Sequence, residues 1–312
     1  MPGPMNFRQK LLMVKLEATY GVDAGPTAAL NAVLATEVKH MPMEGADVSR
    51  ELDTPHMGAQ PTIPNELHSK FTFKVELAPS GVAGTAPAWA VLLRMCAVAE
   101  TITPGTSAVY NPVTNSHESG TIYFNLDGTL YKSRGARGNA KFTVDAQGIP
   151  YVEFELTGLY AVPSTDALGT PDYTSWQDPT VATTANTPQF SIDGTDMVLR
   201  SFALDLGNAV ENRFLIGRDA VLITDRSETL EARVEAVELA TLDPYALAGN
   251  QSKVPVVLQH GTVAGRIATL NVPKAQVQRP AGLENSQNIV EWPLSLVPLP
   301  NAGNDQWTLT LT

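Results

Sequence analysis

Lys70-Phe71-Thr72-Phe73-Lys74-Val75-Glu76-Leu77 sets the fold class. Phe71, Phe73, Val75 and Leu77 fall on one side of a period-2 repeat, and Lys70, Thr72, Lys74 and Glu76 on the other. That alternation defines a strand with one buried and one wet face. Further along the chain, Tyr151-Val152-Glu153-Phe154-Glu155-Leu156 alternates in the same way. Thr121-Ile122-Tyr123-Phe124-Asn125-Leu126 runs into Asp127-Gly128, a hairpin-turn dipeptide, and resumes as Thr129-Leu130-Tyr131. Ala140-Lys141-Phe142-Thr143-Val144 follows Gly135-Ala136-Arg137-Gly138, which reads as a turn. Further β-type segments cover 197–205, 220–224, 254–258, 266–272, 288–297 and 306–311. Segment 230–239 carries charges at mixed spacing and reads as either helix or strand. Leu11-Leu12-Met13-Val14-Lys15-Leu16 reads as a short strand or a helical turn.

Helices are few. Residues 87–99 form the best one, with Thr85 as N-cap, Pro87 in the first turn, and Trp89, Leu92, Leu93, Cys96 and Val98 on its apolar face. Thr27 caps a short Ala/Leu helix over 28–35, and another lies near 243–249. The chain is therefore mainly β, with one or two short helices expected among these three candidates.

Val75-Glu76-Leu77-Ala78 reappears as Val237-Glu238-Leu239-Ala240, and each copy precedes a possible helix and then strand pairs. Repeat logic turns this into an expectation of two tandem copies. Residues 163–188 hold Pro163, Pro171, Pro179 and Pro188 with much Thr, Ser and Ala. They read as a linker between a first unit at 1–162, with an arm in residues 1–40, and a second at 189–312. Trp176, an aromatic in that polar stretch, is expected to dock onto something, such as another subunit.

The 312 residues carry a net charge of −11, and both halves are negative. Such a balance is poor for gripping nucleic acid, where phosphate contacts need Lys and Arg. One cysteine, Cys96, excludes an internal disulfide framework and a cysteine-based zinc site, and fits a reducing compartment. No apolar run approaches the roughly 20 residues of a membrane span. The start, Met1-Pro2-Gly3-Pro4, lacks the basic-then-apolar order of a signal peptide.

No catalytic signature emerges. His40, His56, His68, His117 and His260 are scattered without metal-ligand spacing, and neither a Gly-x-Ser-x-Gly elbow nor a phosphate loop is present. His117-Glu118-Ser119 reads as an exposed loop. Glu153 and Glu155 share a strand face and read as its solvated side, although paired carboxylates also serve glycoside hydrolysis. Lys132, Arg134, Arg137 and Lys141 form the one dense basic group, read as a solvated turn or subunit contact. Trp292 and Trp307 read as core. The expectation is no enzyme, no metal and no cofactor.

Several motifs then fall into a known order. They are Lys15-Leu16-Glu17-Ala18-Thr19-Tyr20-Gly21-Val22-Asp23-Ala24, Gly45-Ala46-Asp47-Val48-Ser49-Arg50 and Phe73-Lys74-Val75-Glu76-Leu77-Ala78. Pro87-Ala88-Trp89 with Leu92-Leu93-Arg94-Met95-Cys96 and Val109-Tyr110-Asn111-Pro112 follow. Gly135-Ala136-Arg137-Gly138 with Phe154-Glu155-Leu156-Thr157-Gly158-Leu159-Tyr160 close the series. In order and spacing these resemble the major tail tube proteins of long, non-contractile-tailed phages. The second half resembles them less distinctly.

The resemblance implies a virion protein made in the host bacterial cytoplasm. Its β-sandwich or barrel-like domains would close rings, and the rings would stack into a tail tube that passes the genome. Its partners would be its own copies, a tape-measure protein, a tail terminator and a distal tail protein, with phage DNA passing through unbound and no membrane involved. Two tube domains per chain imply rings of three chains; one domain plus an appendage implies six. Lys74, Glu76, Glu231, Arg233 and Glu235 become candidate lumen or interface charges. Residues 1–40 and 163–188 become connectors between rings and domains. A tail-tip adhesin, a tail terminator-type ring protein and a carbohydrate-active enzyme stand as alternatives.

Overall fold

The computed structural model of the chain describes residues 4–312, so the Met1-Pro2-Gly3 start of the signal-peptide reading lies outside the described residues. The first half holds β1 (Lys10–Leu16), α1 (Ala28–Asn31), β2 (Ala32–Val33), β3 (Thr36–Ser49), β4 (Thr62–Glu76), α2 (Ala90–Arg94), β5 (Val98–Thr103), β6 (Ser107–Pro112), β7 (Gly120–Leu126), β8 (Thr129–Asp145), β9 (Tyr151–Tyr160) and β10 (Ser164–Thr165). The second holds β11 (Gln189–Ile192), β12 (Thr195–Asp196), β13 (Leu199–Asp205), β14 (Asn208–Leu215), β15 (Arg218–Arg226), β16 (Thr229–Glu235), α3 (Pro244–Gly249), β17 (Lys253–His260), β18 (Ala268–Val277), β19 (Glu284–Ser286), β20 (Ile289–Pro298) and β21 (Thr308–Leu311). The fold is mainly β, and every pairing among the described residues is antiparallel.

The alternation around Phe71 and Val75 builds the main sheet. Its strands lie in the order β3-β4-β9-β8-β13-β16-β20. Val75, Val152, Phe142, Leu204, Leu230 and Leu296 stand in one cross-strand row, and all are buried. Each such side chain contributes about 1.5–3 kcal/mol of transfer free energy, so one row holds six strands in register. A second run, β5-β6-β21-β18-β17-β11, supplies the opposing layer. The core between them is aromatic at its contacts: Phe142 meets Trp307 edge-on at 5.8 Å, and Phe190 meets Phe202 at 6.0 Å.

The pairings repeat. In the first half β1 pairs β2 and β7, β4 pairs β3 and β9, and β8 pairs β7 and β9. In the second half β11 pairs β12 and β17, β16 pairs β13 and β20, and β18 pairs β17 and β20. Each half places its helix, α2 or α3, after the second strand of the equivalent pair. The Val-Glu-Leu-Ala repeat falls at the end of β4 and just beyond β16. The boundary between 1–162 and 189–312 is crossed by two strand pairs, β8 with β13 and β6 with β21, and one core cluster spans both halves.

Several sequence expectations are corrected. The helix at 87–99 is only α2, five residues; its N-cap is Trp89, without a side-chain cap bond, not Thr85. Ala97 takes a positive φ of 56° and ends the turn, and residues around it are buried on all sides, so tertiary packing overrides the helical stripe. The helix over 28–35 is α1, four residues, after which the chain enters β2. Gly135-Ala136-Arg137-Gly138 is not a turn between strands. β8 runs straight through it with a bulge between Arg134 and Arg137. Gly138 is needed there because a Cβ would lie 2.0 Å from the Glu155 carbonyl of β9. The Asp127-Gly128 hairpin is as expected: both residues have positive φ, 46° and 87°. Segment 230–239 resolves as strand β16 as far as Glu235.

Residues 1–40 are not an arm as a whole, because Leu11–Val14 are buried in β1, which pairs with β7 along its length. Residues 163–188 have little regular structure yet are pinned to the body. Trp176 donates its indole N–H to the Ala32 carbonyl at 3.1 Å, and Ala182 N–H donates to the Gly148 carbonyl at 2.8 Å. Trp176 thus docks on its own chain. His260, buried, hydrogen-bonds the hydroxyls of Thr180 and Thr187, each at 2.9 Å.

Candidate functional site

The site is a surface: the polar face and open edges of the main sheet. Period-2 alternation that buries Val75 turns Lys74 and Glu76 to the other side. Register carries that face across the sheet. Lys74, Glu153, Lys141 and Asp205 stand in one row, a ladder of alternating charge over four strands. The next row holds Glu76, Tyr151, Thr143, Ala203, Glu231 and Ser295. Arg233 and Glu235 follow on β16, opposite Pro293 and Glu291.

All five sequence candidates, Lys74, Glu76, Glu231, Arg233 and Glu235, therefore share one face. They form two groups, on β4 and β16, about 19 Å apart at the usual strand spacing. Lys74 is held by Glu153 and Glu37, each at 3.2 Å, and these bonds, Glu153 first, raise its pKa. Burial, with the charge of Asp178, raises that of Glu76. Arg233 binds Glu284 at 2.5 Å and also binds Glu291. Glu291 is buried at 1 % exposure and accepts from Arg200 at 2.6 Å; Arg200 first, and Arg233, hold its carboxyl below the usual range. Among the described residues Glu231 and Glu235 enter no ion pair, whereas Lys70, Lys74 and Arg233 do. The charge left free on β16 is anionic.

The residues weighed for chemistry are occupied elsewhere. Glu153 and Glu155 share the polar face and pair with Lys74 and Lys70. The basic group of Lys132, Arg134, Arg137 and Lys141 runs along β8 and is not clustered at a turn. The Arg137 guanidinium donates to the carbonyls of His117, Glu118 and Val221. Glu118 is not a free loop carboxylate, because Arg94 holds both its oxygens at 2.7 Å. His40 stacks on Phe71 at 4.1 Å, and burial lowers its pKa to about 4. Among the described residues no three His, Cys, Asp or Glu side chains converge, and no helix is long and apolar enough to cross a membrane.

Two features escaped the sequence reading. β3 pairs only with β4 among the described residues, so a fourteen-residue strand leaves one edge open. Beyond Met41 the β3–β4 hairpin leaves the body, and Met41, Met43, Val48, Leu52, Met57 and Ile63 stand exposed. The hint was present as three Met among Pro and Gly between Lys39 and Lys70. At the other end of the sheet, β19 pairs only with β20 among the described residues. No protein-family description matches the chain, and no curated protein matches it significantly.

Proposed function

We propose that the chain is a self-assembling structural subunit, a tail tube protein whose copies close rings that stack into a tube for DNA. The observation that carries this reading is the repeated pairing order. Within the chain, β8 at the end of the first unit's sheet receives β13, the first sheet strand of the second unit. β19 extends the second unit's sheet beyond β20, and β3 is the equivalent of β13. The junction between halves is thus a template for the junction between chains: the open edge of β3 on one copy adds to the β19 edge of the next. Such a head-to-tail contact is heterologous and closes when the rotation permits. An unpaired fourteen-residue edge is an aggregation hazard unless a partner covers it, and closure removes it.

With two units per chain, three chains complete a ring. The charged face of the main sheet, where Glu231 and Glu235 enter no ion pair among the described residues, lines the channel. Carboxylates facing DNA repel phosphate and let it slide. A tape-measure protein, a tail terminator and a distal tail protein complete the expected partners, at the virion tail.

Negative-stain microscopy of the concentrated protein with two-dimensional averaging tests this. Rings or tubes with a central hole and three chains per turn are expected. Six chains per ring would sink the two-unit reading, and monomers at every concentration would overturn self-assembly.

A further inference from the structure

The exposed part of the β3–β4 hairpin, residues 41–66, carries Glu44, Asp47, Glu51, Asp53 and Glu66 against one Arg50. None of these carboxylates enters an ion pair among the described residues. The arm is therefore acidic and apolar together, with Met57 fully exposed. At about 3.3 Å per residue it reaches roughly 30 Å from Met41 to Arg50.

Elsewhere an apolar groove of about 610 Å³ lies between the start of β1 and the root of β3. Val33, Leu34 and Phe124 line it, and Arg8, Lys10 and Lys39 stand round it. Its one carboxylate, Glu37, is already engaged by Lys74. The three cations enter no ion pair among the described residues. Two other apolar grooves lack this balance. One carries both Lys15 and Asp172 beside Leu30 and Trp176, and one carries only Asp196 beside Phe190 and Met197.

We infer that the acidic, methionine-bearing arm of one copy docks in the basic apolar groove of a second copy. The inference rests on the self-assembly reading and names the surfaces of one contact in it. The groove sits at the root of its own arm, through Val38 and Lys39, so the extended hairpin points away from it; the occupant comes from another molecule. Apolar contact holds the arm, and the charges that enter no ion pair, with Lys10 lying over the Phe7 ring at 3.5 Å, set partner, register and salt dependence. Methionine suits a surface that must fit a groove it does not line in the free chain.

The test uses full-length chains with Met57→Cys in one and Leu34→Cys in the other. Cys96 is fully buried, so the introduced thiols alone react. Mixing the two under mild oxidation is expected to give a disulfide-linked dimer. Adding E44K/E51K/D53K to the Met57→Cys chain, or R8E/K10E/K39E to the Leu34→Cys chain, lowers its yield by about ten-fold, and combining both reversals restores it. Circular dichroism checks that each variant is folded. A cross-link within one chain carrying both cysteines, or dimer yields that ignore charge reversal, would overturn the inference. Rings seen by microscopy without this cross-link would sink the docking contact alone and leave the self-assembly reading standing.

Discussion

Phe142→Ala tests whether the two halves are one cooperative unit. Phe142 lies on β8 with 1 % exposure, in register with Val152 of β9 on one side and Leu204 of β13 on the other. Its ring also meets Trp307, next to β21, at 5.8 Å. Truncation removes contacts from both layers and from both sides of the 162/189 boundary. Phe→Ala in a core costs about 3–5 kcal/mol, because lost transfer energy and a residual cavity add. At roughly 2–3 °C per kcal/mol for a chain of this size, Tm falls by about 6–15 °C. Differential scanning calorimetry is the assay. One endotherm is expected for the parent, and one endotherm, shifted as a whole, for Phe142→Ala. Leu92→Ala in the first half and Leu258→Ala in the second serve as controls, and each is expected to shift that same endotherm. Two resolved endotherms, with the control substitutions moving one each, would disprove that β8–β13 and β6–β21 make one core.

Other outcomes follow from single features. Burial pushes the Cys96 thiol far above its usual pKa, so thiol reagents are expected to leave it unlabelled at about pH 8 until the protein is denatured. Glu291 has a folded pKa below its unfolded value, so its stabilisation is complete above the unfolded pKa and disappears as pH falls through the folded one. The Tm gap between the parent and Glu291→Gln is therefore expected to be widest near neutrality and to narrow under acid; a gap independent of pH would contradict the Arg200 and Arg233 bonds. Limited proteolysis is expected to cut residues 50–61, which lie at the exposed end of the arm, before 163–188, which Trp176, Ala182 and His260 pin down. First cleavage within 163–188 would mean that those contacts are not maintained in solution.

Strand periodicity was legible wherever one face is buried and the other wet. The readings at 70–77, 121–131 and 151–156 correspond to β4, β7 with the start of β8, and β9, because a one-residue slip would expose every apolar side chain. The same alternation is enough to put Lys74 and Glu76 on polar strand positions, whereas Glu231, Arg233 and Glu235 lie in the segment that reads as helix or strand until β16 pairs with β13 and β20. Local rules failed where burial is all-round. Around α2, Leu92, Leu93, Met95, Cys96, Ala97 and Val98 are all buried, so the helical stripe carried no length information, and the Gly135–Gly138 run served a bulge and a close strand approach in place of a turn.

Short-range pattern in the chain was enough for the mainly-β class, the Asp127-Gly128 hairpin, the buried Trp292 and Trp307 and the alternating charge on single strands. These depend on neighbours one to four positions away. Long-range packing alone settles that the two polar groups share one sheet, that β8 and β13 join the halves, and that β3 keeps an open edge. Those are pairings between residues tens to hundreds of positions apart. Backbone hydrogen bonding is indifferent to side-chain identity, so strand order emerges only when every buried row is packed at once.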